Sequence, residues 1–589
     1  MKLADYVAGF IAASGVNHVF VLAGGASLHL IDSIGKRDDL QHICPLHEQA
    51  AAMAAEAYSR ATGNLGAAVA TSGPGATNLI TGICCAYYDS VPVLLITGQV
   101  STFRSKGDTG VRQIGFQETE VVPMVQTITN YAVRIDSPDR IRYELEKACY
   151  LARSGRPGPV LVDIPDDLQR AEIDPETLTA FVPEGNGTAR PLLTENAASI
   201  IRLIEQAERP ILVLGWGVHL SQAERAAVTF AEQLQLPVAP TWAAADILPA
   251  IHPLSVGTFG THGTRYGNFA VQNADLIISI GSRLDTKATG SPATTFARGA
   301  KKVVIDIDAA ELNKFTAYGL DIDLLVQADA GDMLRELNAI SGNTLVPKRR
   351  EWMGRINEWQ GAYPMCPPRY ADEDELNPYY FVKQLSRACA AGATMVSDTG
   401  CALAWMMQAF EFKKKQRFFH DFNNTAMGWA LPAAIGVCLA LQKPIVCIVG
   451  DGSIQMNIQE LATIVRYELP IKIFLINNHG YSMIRQTQDQ WLGSQYLASS
   501  SAGGVADPNF SAIASAYGIE SNTLERNGEC ADKMAEVMAA QGPFLCNVQI
   551  NHSHRVIPQV KFGRPNEDSE PLLGREEFLR CMIVEPVAG

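Results

Sequence analysis

Residues 444–484 read PIVCIVGDGSIQMNIQELATIVRYELPIKIFLINNHGYSMI, and their pattern indicates the fold class of the whole chain. An apolar, β-branched run at 445–449 predicts a buried parallel strand. Apolar residues at spacings of three and four then predict a helix, and a second apolar run at 471–476 predicts another strand. The stretch is therefore a βαβ unit, whose two strands end at the same edge of one sheet.

Both strands of this unit lead into loops that carry oxygen-bearing side chains. Gly450-Asp451-Gly452-Ser453 follows the first strand and Asn477-Asn478 follows the second, so Asp451 and Asn478 lie 27 positions apart. Mg²⁺ prefers oxygen ligands and takes phosphate oxygens to complete its shell, while glycines let the backbone approach a ligand closely. The unit predicts a metal-diphosphate clamp, and the alternative is a plain βαβ unit with a solvated aspartate.

Composition and charge exclude several classes of function. The chain has 589 residues, 47% apolar and 19% charged, as expected for three or four globular domains. A net charge of −14 without a long basic run argues against nucleic acid or a membrane surface as partner. The sequence contains no apolar run long enough to span a bilayer, and residues 1–16 predict an amphipathic helix rather than a signal peptide. Twelve cysteines without CxxC spacing predict reduced thiols in the cytoplasm.

Alternating strand and helix patterns divide the chain into three α/β segments with mainly parallel sheets. We expect domains at 1–180, 192–345 and 375–555, and a C-terminal tail at 556–589 that is a candidate lid. Stretches at 175–195 and 341–378 predict linkers, the second of them partly helical. Besides the two strands above, the pattern predicts strands at 18–22, 67–71, 91–97, 159–163, 210–214, 236–239, 276–280 and 302–307.

The GDG and NN motifs at this spacing match the signature of thiamine-diphosphate enzymes. Such a cofactor also needs a carboxylate near its pyrimidine ring, a bulky apolar side chain that keeps its two rings folded together, and an apolar pocket that favours loss of charge. Glu48, which starts an Ala-rich helix that must pack closely, is the candidate carboxylate. The alternative for Glu48 is an acidic residue favoured by the helix dipole. Met427 is the candidate apolar wedge, and the alternative is an ordinary core methionine.

Nearly the whole chain resembles the acetohydroxyacid synthases and their acetolactate synthase relatives. The matching stretches occur in order as HEQAAAMAAEAYSRATG, TSGPGATNLITGI, TGQV, FQE, SGRPGPVLVDIP, NADLIISIGSR, VIDID, MGWALPAAIG, and GDGS with NN. The resemblance implies three doubly wound domains: a pyrimidine-binding domain, a central FAD-binding-type domain and a diphosphate-binding domain. It also implies a homodimer or homotetramer with cofactors at subunit interfaces, where Glu48 of one chain faces the clamp of another.

Carried over by position, the resemblance assigns roles to single residues. Glu48 would activate the cofactor, Gln117 would approach the reacting centre, and Gly25 would offer its backbone N–H to the intermediate. The implied Mg²⁺ ligands are Asp451, Asn478 and the carbonyl of Gly480. The implied thiamine-diphosphate contacts are Thr425, Met427, Gly450, Gly452, Ser453 and Tyr481. The implied contacts of a structural FAD are Arg156, Gly215, Gly217, Gly260, Thr261, His262, Gly263, Arg283 and Asp306.

The resemblance implies a carboligase that decarboxylates pyruvate and transfers the acetyl unit to a second keto compound, giving 2-acetolactate when pyruvate is also the acceptor. One departure concerns Thr487, because biosynthetic relatives place a Trp nine residues after the second Asn. A bulkier ketone, such as a nucleotide-linked keto-deoxysugar, is therefore the alternative acceptor. A simple 2-keto acid decarboxylase is a further alternative. A catalytically silent subunit would lack Glu48, Asp451 or Asn478, and all three are present.

Overall fold

The computed structural model describes residues 1–183, 190–341 and 349–587, with side chains at 190 and 191 left aside. Within these ranges the strands form three sheets, and every pairing between strands of the same sheet is parallel. The predicted fold class, three α/β domains with parallel sheets, is confirmed. Residues 184–189 and 342–348 of the predicted linkers, and 588–589 of the tail, lie outside the described residues.

The first domain has the strand order β2-β1-β3-β4-β6-β5. Its strands are β1 (His18–Val21), β2 (Gln41–Ile43), β3 (Gly66–Ala70), β4 (Val93–Gln99), β5 (Tyr131–Arg134) and β6 (Val160–Pro165). Its helices of seven or more residues are Leu3–Ala13, Leu28–Gly35, Glu48–Thr62, Ile80–Tyr88 and Ile141–Arg153. Alternate strand residues enter two separate cores, so helices cover both faces of the sheet.

The central domain has the strand order β11-β10-β9-β7-β8. Its strands are β7 (Pro210–Leu214), β8 (Val238–Pro240), β9 (Leu276–Ile280), β10 (Lys301–Asp306) and β11 (Leu324–Gln327). Its longer helices are Arg190–Gln206, Glu224–Leu234, Arg265–Gln272, Ala309–Tyr318 and Ala330–Ser341, followed by the connecting helix Arg349–Ala362. The connecting helix packs on the same core as Phe269 and Phe315, so it is part of this domain rather than a free linker.

The third domain has the strand order β13-β12-β14-β15-β17-β16. Its strands are β12 (Thr394–Ser397), β13 (Arg417–His420), β14 (Ile445–Gly450), β15 (Ile471–Asn477), β16 (Glu520–Leu524) and β17 (Phe544–Gln549). Its longer helices are Pro378–Ala388, Cys401–Ala409, Ala430–Leu441, Glu460–Arg466, Ser482–Trp491, Phe510–Ala516 and Cys530–Ala539. The predicted βαβ unit therefore forms the centre of this sheet, where β14 and β15 are adjacent.

The helix Glu48–Thr62 joins the first domain to the third, because it shares one core with the helix Ala430–Leu441. Its run of alanines lets other backbones approach it. A Cβ on Gly436 would overlap the carbonyl oxygen of Ala54, and a Cβ on Gly66 would overlap that of Ala55. The close packing predicted for the Ala-rich helix is confirmed, and it requires glycine at both facing positions.

The C-terminal tail packs against the central domain. The Val560 N–H donates to the carbonyl of Thr261 over 2.8 Å, and Glu567, 1% exposed, pairs with Arg298 over 2.7 Å. Further along, Phe578 in the helix Arg575–Cys581 enters the central core. Closure of the site by this tail stays a prediction. None of the described helices is long and apolar enough to cross a membrane.

Candidate functional site

Two loops meet at the carboxyl edge of the third sheet, where β14 and β15 end. Gly450 pairs in register with Ile476, so the residues that follow lie side by side. The Gly480 N–H donates to Asp451 Oδ2 over 2.7 Å, and the Gly452 N–H donates to Oδ1 over 2.9 Å. The structure thus brings together the loops that carry the predicted metal ligands.

Asp451 lies in an environment that favours a bound cation. It is 5% exposed, and burial raises the pKa of its carboxyl group to about 6. Within the described ranges its side-chain oxygens accept only backbone N–H groups. A buried carboxylate needs a cation or several donors to stay charged. Asn478 and Gly480 lie in the loop that bonds to Asp451 through the Gly480 N–H. The Asp451 carboxylate, the Asn478 amide oxygen and the Gly480 carbonyl oxygen are the kinds of ligand that Mg²⁺ prefers, so these residues fit the ion.

The glycine-rich loop after β14 has little room for side chains. A Cβ on Gly452 would overlap the ring of Tyr481, so only glycine fits between the two loops. Ser453, in the same loop, is 6% exposed. The helix Asp451–Ile454 begins here, and the first turn of a helix has backbone N–H groups without partners inside the helix. The loop therefore suits a phosphate group beside the cation.

A second turn, at residues 424–428, exposes the apolar side chain of Met427 to solvent. Thr425 and Gly428 have positive φ angles of 52° and 85°. The Gly428 N–H donates to buried Asp398 over 3.1 Å, and Asn457 donates to the Gly428 carbonyl over 2.8 Å. Met427 is 38% exposed, so it is not an ordinary core methionine. The turn holds Met427 in an outward position, as a wedge between cofactor rings would require.

The three predicted catalytic residues gather at the carboxyl edge of the first sheet. Glu48 is 7% exposed, and its Oε2 accepts a hydrogen bond from Asn78 over 2.9 Å. A Cβ on Gly75 would lie 3.2 Å from Glu48 Oε1, and a Cβ on Gly73 would lie 3.0 Å from the Cβ of Gln117.

Gly25 lies beside the same loop, because the next residue, Ala26, contacts Thr71, which precedes Gly73 and Gly75. The Ala26 N–H donates to Thr71 Oγ1 over 3.2 Å. Gly25 itself is exposed, with open space where a side chain would be. Gln117 has a positive φ of 61°, a strained conformation that is frequent at functional sites. Glu48, Gln117 and Gly25 therefore surround one short loop.

Within one chain, the Glu48 group and the Asp451 clamp are not joined. In the described residues, the side-chain hydrogen bonds of Glu48 stay in the first domain and those of Asp451 stay in the third. The contacts between the two domains include the core shared by the helix that begins at Glu48 and the hydrogen bond from the Leu46 N–H to Glu460 over 3.0 Å. We call the Glu48 group and the Asp451 clamp the two half-sites.

A cavity of about 500 Å³ lies between the domains, with walls from all three. Of the predicted FAD contacts, Arg156, Gly217, Thr261, His262, Arg283 and Asp306 line it. The remaining three, Gly215, Gly260 and Gly263, are packed against backbone: added Cβ atoms would overlap Gly281, Lys287 and Phe259. Thr425 and Gly400 also line the cavity, so one end of it adjoins the 424–428 turn.

The chemistry of this cavity suits a large, partly aromatic ligand. Trp216 lines it, and the buried Trp216 Nε1 has no hydrogen-bond partner in the part of the chain that the structure describes. Burial lowers the pKa of His262 to about 3, so its ring is neutral. Arg156 and Arg283 both bond to Glu311, at 2.7 and 2.9 Å. The aromatic side chain of Trp216 and the fixed guanidinium groups of Arg156 and Arg283 fit a dinucleotide, which has aromatic rings and acceptor oxygens.

Several residues that shape the half-sites were not predicted from the sequence. Asn78, which holds Glu48, lies inside the quoted stretch TSGPGATNLITGI but had no signal of its own. Asp398 follows the apolar strand β12, the same signal that drew attention to Asp451, and burial raises the pKa of its carboxyl group to about 6. Arg485 lies three residues into the helix that starts at Ser482 and contacts the Asn478 loop.

Three family models match the chain in order. They are described as the thiamine pyrophosphate enzyme N-terminal TPP binding domain (residues 1–123), central domain (residues 197–337) and C-terminal TPP binding domain (residues 398–548). Thiamine pyrophosphate and TPP are other names for thiamine diphosphate. Together the three matches cover more than half of the chain.

Curated relatives match over nearly the full length. An acetolactate synthase large subunit from Parasynechococcus marenigrum is 35% identical over 559 residues, covering 94% of this chain and 88% of the relative. An acetolactate synthase from Arthrospira platensis is 34% identical over 569 residues, covering 94% and 95%. A probable acetolactate synthase large subunit from Methanocaldococcus jannaschii is 34% identical over 584 residues, covering 96% and 94%.

Proposed function

The chain belongs to the acetolactate synthase family of thiamine pyrophosphate enzymes, and from this premise we propose that it decarboxylates pyruvate and transfers the acetyl unit to a second carbonyl. The observation that carries the proposal is the pair of loops at Asp451 and Asn478. They lie together at one sheet edge, and among the described residues the buried Asp451 carboxylate accepts hydrogen bonds only from backbone N–H groups. With pyruvate as acceptor, the product is 2-acetolactate.

We assign the clamp as follows. Asp451, Asn478 and the Gly480 carbonyl hold Mg²⁺, while Gly450, Gly452, Ser453 and Tyr481 surround the diphosphate. Thr425 and Met427 would hold the pyrimidine ring, with Met427 as the apolar wedge. When bound, thiamine diphosphate supplies the electron sink that lets pyruvate lose CO₂. The support is the oxygen donor set, the absence of room for a side chain at 452, and the outward position of Met427.

The residues of the first domain act on the reacting groups in this proposal. Glu48 holds and exchanges a proton through its carboxyl oxygens, while Asn78 fixes the orientation of that carboxyl group. The Gly25 N–H and the Gln117 side chain orient the keto oxygen of the substrate. A general acid or base placed in this way contributes about 10²–10⁴-fold to the rate.

We propose that the complete site forms between two copies of the chain, in a homodimer or homotetramer. Two observations support this. Glu48 and Asp451 are not joined within one chain, and large apolar side chains near both half-sites are exposed: Leu46 (52%), Phe116 (87%), Ile484 (49%) and Trp491 (66%). Exposed apolar groups of this size mark surfaces that another molecule covers. A twofold axis would then build two equal sites.

We further propose that the cavity between the domains binds FAD as a structural group. Purified protein is expected to be yellow, and acid precipitation is expected to release the flavin because no covalent link is involved. Trp216→Ala, which removes an aromatic side chain from the cavity wall, is expected to weaken flavin retention by about ten-fold. The measurement is the ratio of flavin absorbance to protein after dialysis. A colourless active enzyme would contradict this assignment.

The proposed activity is tested by product analysis. Protein supplied with pyruvate, Mg²⁺ and thiamine diphosphate is expected to release one CO₂ per acetolactate formed. Acetaldehyde as the sole product would indicate a simple decarboxylase, and absence of CO₂ release would indicate a silent subunit. Parallel reactions with larger ketones identify the acceptor, where Thr487 is the relevant residue. A cytoplasmic location is also proposed, with support from twelve unpaired cysteines.

A further inference from the structure

Arg485 is a buried arginine below the proposed clamp. It is 2% exposed and lies in the helix Ser482–Trp491, one turn after the Asn478 loop. Within the described part of the chain it forms no ion pair, and its Nε has no hydrogen-bond partner. A buried guanidinium without a carboxylate costs several kcal/mol unless other groups compensate for it. Its retention at this position therefore needs an explanation.

The side chain of Arg485 folds back onto the loop that enters its own helix. One terminal nitrogen donates to the Asn478 carbonyl over 2.7 Å and to Ser482 Oγ over 2.6 Å, and lies 3.5 Å from Asn478 Oδ1. The other donates to the His479 carbonyl over 3.3 Å. These bonds fix the peptide groups immediately before Gly480.

This loop has a backbone conformation that needs such support. His479 has φ of 59° and Gly480 has φ of 128°, the first unusual for a residue with a side chain and the second close to glycine-only. Strained conformations persist only where neighbouring groups hold them. Besides Arg485, the loop is held by Asp451 at the Gly480 N–H and by the Ser499 carbonyl at the Tyr481 N–H.

A nearby arginine shows what an ordinary pairing looks like. Arg555 donates through Nε to Asp489 over 2.7 Å, through one terminal nitrogen to the carbonyls of His552 and His554, and through the other to the Tyr496 hydroxyl. Arg485 instead bonds to neutral oxygens of the clamp loop. A diphosphate held by one Mg²⁺ retains net negative charge, and this charge would offset that of Arg485.

We propose that Arg485 is a positioning residue of the diphosphate clamp. It fixes the Asn478–Ser482 loop in its metal-binding conformation, and its positive charge is balanced by the bound diphosphate. This inference rests on the proposed function, since it concerns the affinity of the same clamp for its metal and cofactor. It concerns binding of the cofactor, not the chemical step.

The test compares Arg485→Met with the wild type by calorimetric titration of Mg²⁺ and thiamine diphosphate. Methionine has a similar length but neither donors nor charge. The dissociation constant of Arg485→Met for Mg²⁺ is expected to be about 10–100-fold higher than that of the wild type, as found when other groups that orient metal ligands are removed. Arg485→Lys, which keeps the charge without the planar fork, is expected to fall between the two. Arg555→Met is the matched control and is expected to stay within about two-fold of the wild type.

A second readout separates this role from general stability. The melting temperature of cofactor-free Arg485→Met is expected to stay close to that of the wild type, because the loss of the hydrogen bonds to the loop and the removal of a buried charge act in opposite directions. If Arg485→Met binds Mg²⁺ as tightly as the wild type does, or if Arg555→Met is weakened equally, the positioning role is overturned and the proposed function is not affected. A wild-type protein that binds no thiamine diphosphate overturns the proposed function, and this inference with it.

Discussion

Replacing Glu48 with Gln is expected to lower kcat by about 10²–10⁴-fold, because the amide cannot exchange the proton that the carboxyl group carries. The change is nearly isosteric, and Asn78 retains an oxygen to which it can donate. The affinity for thiamine diphosphate and Mg²⁺ is expected to remain, since the clamp lies on the third domain. Steady-state kinetics and a cofactor titration measure the two effects separately.

A matched control is available in the same domain. Glu144 is 4% exposed and bonds to Tyr131, away from both half-sites. Glu144→Gln is expected to leave kcat unchanged. Normal turnover in Glu48→Gln would remove Glu48 from the mechanism, and equal losses in both variants would show a nonspecific effect of losing a buried carboxylate.

The Glu48→Gln variant also tests whether the site is shared between chains. Asp451→Asn is expected to be inactive because the clamp loses its carboxylate. If Glu48 of one chain serves the clamp of another, a mixed dimer of Glu48→Gln and Asp451→Asn contains one intact site. Random mixing of refolded chains would then restore about a quarter of wild-type activity. A mixture that stays inactive, with mixed dimers demonstrated by differently tagged chains, would place the whole site within one chain.

Replacing Gly436 with Ala is expected to destabilise the protein by about 1–3 kcal/mol, because the added methyl group overlaps the carbonyl oxygen of Ala54. That contact joins the helix Glu48–Thr62 to the helix Ala430–Leu441, where neither backbone can give way without opening the shared core. Urea denaturation of the wild type and the variant measures the change in stability.

Gly354→Ala is the matched control. Gly354 lies in the helix Arg349–Ala362, is exposed, and has nothing within 4 Å of an added Cβ. The same substitution is expected to be neutral there, or to stabilise by up to about 1 kcal/mol, because alanine favours a helix more than glycine does. Equal stability of Gly436→Ala and the wild type would show that the two helices are not as tightly packed as described.

Most of the interior strands could be predicted from the sequence because both faces of a parallel sheet are buried. The predicted strands are all present, and their ends fall within two residues of the predicted ones. Strands β2, β5, β11, β13 and β16 were not predicted, and all lie at sheet edges. An edge strand such as Gln41–Ile43 is short and half exposed, so it lacks the continuous apolar run that marks its neighbours. Interior β12 and β17 were also not predicted.

In the half-sites, only residues whose type and position after a strand indicate a chemical role could be predicted from the sequence. Asp451 and Asn478 stood out because both follow apolar strands that had to be adjacent. Asn78 and Arg485 act through contacts that depend on where loops cross, and no local pattern marks them. The hydrogen-bond partners of Glu48 and Asp451 are likewise set by the packed domains, and neither motif contains that information.

The way residues 556–587 complete the central domain has a consequence during synthesis. Phe578 fills a core beside Phe269, and Glu567 pairs with Arg298, yet about 225 residues lie between positions 341 and 566. A ribosome adds those residues in roughly 10–45 s. For that interval the core beside Phe269, which the helix Arg349–Ala362 covers in part, lacks Phe578, and a chaperone that shields exposed apolar side chains would find its binding site there before the last helix emerges.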